Sequence, residues 1–285
     1  MSKFLTRTMS GAVYVLLILL AIYGGKITGN NNAGSIIFSV IFFVIAMIGC
    51  YEVVHNLTLS GKVVNNAMAY AIAATTLLIL FPFNNIGLGL SLIAPIVPLF
   101  PFLVMIAQLW REDDKPFATI GYTLLPTMWV VMPILFLSYI HNDSPGLAMM
   151  IFILIWVNDS FAYMTGMLLG KHKMWERHSP GKTWEGTVGG FVFCILTAIF
   201  IGPLFSSAGD TIQSSLGWAV IGIICSVFGT LGDLVESMFK RSCGVKDSGN
   251  IMPGHGGVLD RFDSILMTTP FIFVLWFSVQ LLLSL

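Results

Sequence analysis

The segment SILMTTPFIFVLWFSVQLLLS, residues 264–284, decides the fold class of this protein. It contains no Asp, Glu, Lys or Arg. The hydrocarbon core of a bilayer is about 30 Å thick, and a helix needs about 20 consecutive apolar residues to cross it. The segment therefore predicts a transmembrane helix.

The composition of the whole chain agrees with this prediction. Of the 285 residues, 56% are hydrophobic and 10% are charged, and the mean hydropathy is +0.87. Soluble domains carry about 25% charged residues, so a water-soluble enzyme and a disordered chain are both excluded. The formal net charge of +0 predicts no nucleic-acid partner. We predict an all-α polytopic integral membrane protein.

Nine segments are apolar enough to be candidate spans. They lie near residues 9–24, 33–51, 66–81, 86–109, 121–140, 146–169, 187–205, 216–236 and 264–284. The fourth segment contains Pro95, Pro98 and Pro101, which predicts a kink or a break. If the N-terminus is cytoplasmic, every lysine and arginine except Lys26 falls on the inside, in agreement with the positive-inside rule. We therefore predict a cytoplasmic N-terminus and an outside C-terminus.

The predicted spans divide into two regions of one continuous membrane domain. Residues 1–120 are predicted to form N-terminal transmembrane helices, and residues 121–285 a C-terminal transmembrane region that contains the long polar stretches. No soluble domain is predicted.

Residues 229–263, GTLGDLVESMFKRSCGVKDSGNIMPGHGGVLDRFD, carry the strongest chemical signal. On a helix, four polar side chains share one face at i, i+3, i+4 and i+7, namely Asp233, Glu236, Ser237 and Lys240. A similar i, i+3, i+4 pattern, formed by Asp260, Asp263 and Ser264, begins the last span. Carboxylates that lie close together repel each other, so a divalent cation between them is expected.

The same stretch is rich in basic residues and glycine. Mg²⁺ binds one or two carboxylates together with phosphate oxygens. The remaining phosphate charge would be neutralised by Lys240, Arg241, Lys246 and Arg261. The pattern thus predicts a site for a nucleoside triphosphate at the membrane face. A loop that binds anionic lipid head groups is the alternative interpretation.

Two further polar features precede this stretch. Asp159 interrupts an apolar helix, which favours a carboxylate in a hydrated cavity over a residue that only packs helices. Residues 171–186, KHKMWERHSPGKTWEG, form a basic loop in which residues 179–181 predict a turn and Lys182 a phosphate ligand. Anchoring of this loop at the membrane interface explains it equally well.

Residues 237–263 resemble the signature of the bacterial-type phosphatidate cytidylyltransferases, also called CDP-diacylglycerol synthases. The shared pattern is S-x-x-K-R, then K-D, then P-x-H-G-G-x-x-D-R-x-D, and all its fixed positions are present. The segments at 159–166, 179–186 and 232–237 are also similar to that family. The resemblance covers roughly residues 155–265.

The resemblance implies that CTP and phosphatidate react to give CDP-diacylglycerol and pyrophosphate in phospholipid biosynthesis. It implies Mg²⁺, as one or two divalent cations with or without a monovalent cation. It also implies a homodimer, surrounded by membrane lipids, in the inner (plasma) membrane of a bacterium. The active site would open both to the cytoplasm and to the lipid.

Roles for individual residues follow from the resemblance and from the pattern together. The resemblance implies that Asp233 and Asp260 are metal ligands, and we predict that both are catalytic together with Lys240. The predicted substrate-binding residues are Asp159, Lys182, Ser237, Arg241, Lys246, Asp247, His255, Arg261 and Asp263.

Two alternatives are left open by the sequence. A CTP-dependent polyprenol or phytol kinase would have related spans and acidic helix faces, but would transfer the γ-phosphate. A transporter would use Asp159 and the broken fourth span to line a pathway.

Overall fold

The computed structural model describes residues 3–80, 90–207, 211–252 and 256–284, and most of these residues are helical. The helices are α1 (Lys3–Thr28), α2 (Asn31–Leu59), α3 (Asn66–Leu80), α4 (Phe100–Gln108), α5 (Pro116–Pro126), α6 (Met132–Asp143), α7 (Pro145–Leu169), α8 (Trp184–Ile201), α9 (Ser215–Ser242) and α10 (Leu259–Leu283). Two 3₁₀ segments, Leu90–Leu99 and Gly202–Phe205, precede α4 and follow α8. A π-helical turn, Thr127–Val131, joins α5 to α6.

Seven helices among the described residues are long and apolar enough to cross a membrane. These are Thr8–Thr28, Asn32–Leu59, Pro116–Asp143, Pro145–Leu169, Trp184–Phe205, Ser215–Ser242 and Leu259–Leu283. The prediction of an all-α membrane protein is thereby confirmed. The predicted third and fourth spans correspond to shorter apolar helices, Asn66–Ile79 and Pro95–Gln108. The count of nine spans and the orientation of the termini stay predictions.

The chain forms two compact units. The first contains Met1–Ser138 and Ser242–Arg261, and the second contains Tyr139–Arg241 and Phe262–Leu285. The signature stretch therefore contributes to both units, because α9 lies mostly in the second and the loop after it in the first. The predicted division into N-terminal transmembrane helices at residues 1–120 and a C-terminal transmembrane catalytic region at residues 121–285 stays a prediction.

In the first unit, a hydrophobic cluster joins the short helices to α5. Its buried members are Ile72, Ile79, Phe100, Val104 and Ile120. The backbone N–H of Asn65 donates to Thr123 Oγ1 at 3.1 Å, which connects the start of α3 to α5. Helices α3 and α4, which are too short to span a bilayer alone, thus pack their apolar side chains against α5.

In the second unit, small residues allow the helices to approach closely. A Cβ at Gly190 of α8 would lie 2.6 Å from the carbonyl oxygen of Asn158 of α7. A Cβ at Gly222 of α9 would lie 2.8 Å from Ala198 Cβ of α8. Such contacts are typical of helix packing in membranes, where small residues bring backbones together.

An antiparallel hairpin, β1 (Lys173–Trp175) and β2 (Ser179–Thr183), connects α7 to α8. Lys173 pairs with Thr183, and Trp175 pairs with Ser179. The predicted turn at residues 179–181 is wrong, because these residues lie in β2 and the turn is formed by residues 176–178. Pairing with β1 overrides the local turn preference of proline and glycine.

Candidate acidic site on helices α9 and α10

Three carboxylates converge in the second unit. Asp233 and Glu236 lie one turn apart on α9, and Asp263 lies near the start of α10. Each contributes an oxygen, and the three oxygens lie within 4.8 Å of one another. Glu236 is buried, and the other two are half-buried. Carboxylate oxygens are the ligands that Mg²⁺ and Ca²⁺ prefer, so this group has the chemistry of a divalent-cation site.

A glycine allows the two helices to meet beside these carboxylates. A Cβ at Gly232 would lie 2.7 Å from the carbonyl oxygen of Asp263 and 2.9 Å from Met267 Cβ. Any larger side chain would therefore push α9 away from α10 at the acidic group. One turn earlier, Phe228 of α9 and Phe271 of α10 stack with their ring centroids 3.5 Å apart. Close packing thus positions Asp263 next to α9.

Lys182 brings a positive charge from the hairpin to this group. Its Nζ lies 2.8 Å from Asp233 Oδ2 and donates to the carbonyl oxygen of Thr230 at 3.1 Å. Its side chain is 22% exposed and that of Asp233 is 39% exposed, so the pair lies at the edge of the solvent. Strand β2 therefore places an ammonium group beside Asp233. The same ammonium group can bind a phosphate oxygen, either together with Asp233 or in its place.

Lys240 supplies a second positive charge. It forms an ion pair with Glu236 at i, i+4 on α9, and the side chains are 13% and 1% exposed respectively. A buried carboxylate in a membrane helix is costly unless it is paired. The predicted polar face of α9 is therefore present, with Lys240 beside the buried member of the acidic group.

Ser237 and Asp159 lie at the periphery of the group. The Ser237 hydroxyl donates to Asp233 Oδ1 at 3.3 Å, which restricts the orientation of that carboxylate. Asp159 is exposed, and its Oδ1 lies 3.4 Å from Asn158 Nδ2. Asn158 is itself buried and accepts a hydrogen bond from Ser226 of α9 at 2.6 Å. Asn158 thus connects α7 to α9 beside Asp159.

The first unit contains the loop between α9 and α10 and also Asp260, which lies in the first turn of α10. Asp260 Oδ2 accepts hydrogen bonds from the Ser248 backbone N–H at 2.9 Å, the Ser248 hydroxyl at 2.9 Å and the Gly257 N–H at 2.8 Å. Gly256 has a φ of +84°, a conformation that favours glycine. Asp260 therefore fixes the conformation of the loop. That Asp260 and Asp233 are ligands of a metal stays a prediction.

The other predicted residues are exposed or lie outside the described chain. Exposed side chains occur at Arg241, Lys246, Asp247 and Arg261. His255 lies outside the described residues. The roles predicted for these residues are not tested by the geometry.

Two carboxylates for which the sequence predicts no role lie at important positions in the structure. Glu236 stands on the predicted face but received no role, although its i+3 spacing from Asp233 is the signal for a shared ligand set. Glu52 has no predicted role, yet it is 1% exposed and accepts hydrogen bonds from the backbone at the start of α10. A lone carboxylate directly after the apolar residues 33–51 is the signal that could have found it.

Comparison with known proteins gives a consistent result. Residues 5–279 match the cytidylyltransferase family. A phosphatidate cytidylyltransferase of Staphylococcus saprophyticus is 37% identical over 178 residues, which is 62% of this chain and 67% of the relative. One from Haemophilus influenzae is 41% identical over 179 residues, 61% of each chain.

A third relative, from Staphylococcus aureus, is also a phosphatidate cytidylyltransferase. It is 37% identical over 174 residues, which is 61% of this chain and 65% of the relative. The aligned region thus spans about two thirds of the length of these relatives.

Proposed function

This chain belongs to the cytidylyltransferase family, as the sequence resemblance predicted, and from that premise we propose that it is a phosphatidate cytidylyltransferase. It would transfer the CMP moiety of CTP to phosphatidate and release pyrophosphate. The names of the similar proteins support this substrate. The signature at residues 237–263 supports the same substrate.

The observation that carries the proposal is the arrangement of opposite charges around α9, with members from α10 and from strand β2. Three carboxylates lie within 4.8 Å of one another, and two ammonium groups contact them directly. Carboxylates bind a cation, and ammonium groups bind phosphate oxygens, so both parts of a metal–triphosphate complex find partners here. A purely structural ion-pair network would not require three acidic oxygens within ligand distance of one another.

The residues present fit Mg²⁺, since the group offers oxygen ligands only. Asp233 and Asp263 would hold one cation together with Glu236, and Asp260 is proposed as a further ligand. When bound, Mg²⁺ would neutralise charge on the triphosphate and stabilise the leaving pyrophosphate. The number of cations, one or two, and any monovalent cation remain part of the proposal.

The chain's own residues would bind and orient the two substrates. A phosphate oxygen of phosphatidate attacks the α-phosphorus of CTP, and the bond from that phosphorus to the oxygen bridging to the β-phosphate breaks. Because the attacking phosphate is already anionic at neutral pH, no side chain needs to remove a proton. Catalysis therefore depends on alignment and on neutralisation of charge.

Specific roles follow for the basic residues. Lys182 would contact the phosphatidate head group, since the hairpin brings its ammonium to Asp233 at the solvent edge. Lys240, next to buried Glu236, would contact a phosphate of CTP. The exposed Arg241, Lys246 and Arg261 would bind further phosphate oxygens, and Asp247 would orient them.

The cellular setting belongs to the same proposal. Several long apolar helices make this a membrane protein. We place it in the inner membrane of a bacterium, as a homodimer with its active site facing the cytoplasm. The concentration of basic residues in the segments predicted to be inside supports this orientation.

The decisive experiment uses CTP labelled at either the α- or the γ-phosphorus. Purified protein is incubated with each label, Mg²⁺ and phosphatidate in detergent micelles, and the lipid and aqueous products are separated. The α-label should appear in the lipid and the γ-label in pyrophosphate. A polyprenol or phytol kinase would transfer the γ-label to its lipid alcohol. Absence of lipid-bound α-label would contradict the proposal.

A further inference from the structure

Glu52 is a buried carboxylic acid in the C-terminal half of the apolar helix α2. Its residue surface is 1% exposed. A carboxylate within a membrane span costs several kcal/mol unless its oxygens are bound by donors. Its contacts should therefore identify what it is for.

The carboxylate of Glu52 binds the N-terminus of α10. Oε1 accepts the Val258 N–H at 2.8 Å, and Oε2 accepts the Leu259 N–H at 2.8 Å. The backbone N–H groups at a helix start carry partial positive charge and favour an anion. Glu52 thus supplies that anion from a residue more than two hundred positions earlier in the chain.

Helix α2 also binds Ser248, which lies in the loop that precedes α10. Glu52 Oε2 accepts the Ser248 hydroxyl at 2.9 Å. One turn later, Asn56 Nδ2 donates to the Ser248 carbonyl oxygen at 2.7 Å. Both residues of α2 are buried, so Ser248 is held at its hydroxyl and at its backbone away from water.

Two glycines allow the loop to reach Glu52. A Cβ at Gly249 would lie 2.5 Å from Glu52 Oε1, and a Cβ at Gly257 would lie 2.5 Å from Glu52 Oε2. These distances are too short for any side chain. The glycines of the signature stretch therefore allow the close approach of the loop to a carboxylate of α2.

Ser248 connects Glu52 to Asp260. The Ser248 hydroxyl lies 2.9 Å from Glu52 Oε2 and 2.9 Å from Asp260 Oδ2. A hydroxyl has one proton, so it donates to one of these carboxylates at a time. The Ser248 N–H donates to Asp260 in addition, at 2.9 Å. The position of Asp260 thus depends on Ser248, which depends on Glu52.

We propose that Glu52 is a positioning residue that acts through Ser248 to hold Asp260 in one orientation for cytidylyl transfer. This inference rests on the proposed function, in which Asp260 is assigned to the metal. Residues that orient metal ligands by hydrogen bonds are needed for full metal affinity and activity. It also gives the helices before residue 120 a task in the reaction.

The test compares Glu52→Gln with Glu112→Gln, which makes the same chemical change at an exposed carboxylate of the same unit. Hydrogen exchange of the Val258 and Leu259 amides is measured on both folded variants and on the wild type. In Glu52→Gln we expect about 10-fold faster exchange, since a charge-assisted hydrogen bond is lost. Glu112→Gln should match the wild type.

Activity is measured on the same preparations as a function of Mg²⁺ concentration. We expect the Mg²⁺ concentration for half-maximal rate to rise about 10-fold in Glu52→Gln. A residue that only stabilises the fold would lower the amount of active protein and leave that concentration unchanged. Glu52→Asp keeps the charge and should recover part of the wild-type Mg²⁺ dependence.

Ser248→Ala provides a second route, because it removes only the hydroxyl between the two carboxylates. It should raise the Mg²⁺ requirement as Glu52→Gln does, and the double variant should lose little more than either single variant. Additive losses, or an unchanged Mg²⁺ requirement in folded Ser248→Ala, would overturn the role through Ser248.

The result for the wild type separates the two proposals. If the wild type transfers no CMP to phosphatidate, the proposed function fails and the role of Glu52 in the reaction fails with it. If the wild type is active and Glu52→Gln keeps wild-type exchange and Mg²⁺ dependence, only the role of Glu52 is overturned.

Discussion

Lys182 Nζ lies 2.8 Å from Asp233 Oδ2, so an ion pair connects strand β2 of the hairpin to helix α9 at the acidic site. The pair lies at the solvent edge, where its own contribution to stability is small, about 1 kcal/mol or less. Its position is therefore better explained by function than by stability. A lysine that contacts a proposed metal ligand can also contact a phosphate bound to that metal.

We expect Lys182→Ala to lower the rate of CMP transfer by about 100-fold, because an ammonium group that stabilises phosphate charge contributes roughly 3 kcal/mol to such sites. The melting temperature should change little. The measurement is kcat and KM for phosphatidate at saturating CTP. Lys173→Ala is the matched control, since Lys173 is an exposed lysine of the same hairpin. Equal activity of both variants would remove Lys182 from the site.

Asp233→Asn should abolish most activity while the protein still folds, because Asp233 is half-buried and its amide replacement remains isosteric. Loss of one carboxylate ligand weakens the binding of a divalent cation. The residual activity should therefore require a higher Mg²⁺ concentration than the wild type. The measurement is a Mg²⁺ titration of detergent-purified protein that elutes normally on gel filtration. Asp114→Asn, at an exposed loop carboxylate, is the control. Near-normal turnover of Asp233→Asn would refute the metal assignment.

The polar face of α9 could be predicted from the sequence because helix periodicity is local. Asp233 and Ser237 are four residues apart, and their side chains do form a hydrogen bond. The identity of the α10 carboxylate beside them could not be predicted. It depends on the rotation of α10 about its own axis, and that rotation follows from the packing of Gly232 against the Asp263 backbone.

Contacts between residues distant in the chain were also beyond prediction. Ser248 and Glu52 are separated by 196 positions, and their hydrogen bond follows from the packing of the loop on α2. No spacing rule connects two such residues. An acidic residue in an apolar stretch is a local signal of a buried carboxylate, but it does not identify Ser248 as the partner of Glu52.

Glu236→Gln tests whether the buried ion pair with Lys240 is structural. Removal of one partner leaves the other charge buried, which costs about 3 kcal/mol or more. We therefore expect a clear fall in melting temperature for Glu236→Gln, and a smaller fall for the double change Glu236→Gln with Lys240→Met. Both variants should lose activity, because each removes a group from the proposed site. Recovery of activity in the double variant would show that the pair serves stability alone.

Gly232→Ala tests the close approach of α9 to α10 at the acidic group. The new methyl group would lie 2.7 Å from the Asp263 carbonyl oxygen, so the helices must separate locally, at a cost of about 1–3 kcal/mol. Gly229→Ala is the matched control on the same helix, since its methyl group would lie no closer than 3.7 Å to its nearest neighbour, Ser264 Cβ. Alanine is also the better helix former, by about 1 kcal/mol in an exposed helix.

We therefore expect Gly229→Ala to match or exceed the wild type in melting temperature and to keep its activity. Gly232→Ala should melt earlier and require more Mg²⁺, because the displacement moves Asp263 relative to Asp233. Thermal unfolding in detergent and a Mg²⁺ titration of CMP transfer measure the two effects separately. If Gly232→Ala lowered stability without any change in the Mg²⁺ requirement, Asp263 could not be a metal ligand whose position depends on this contact.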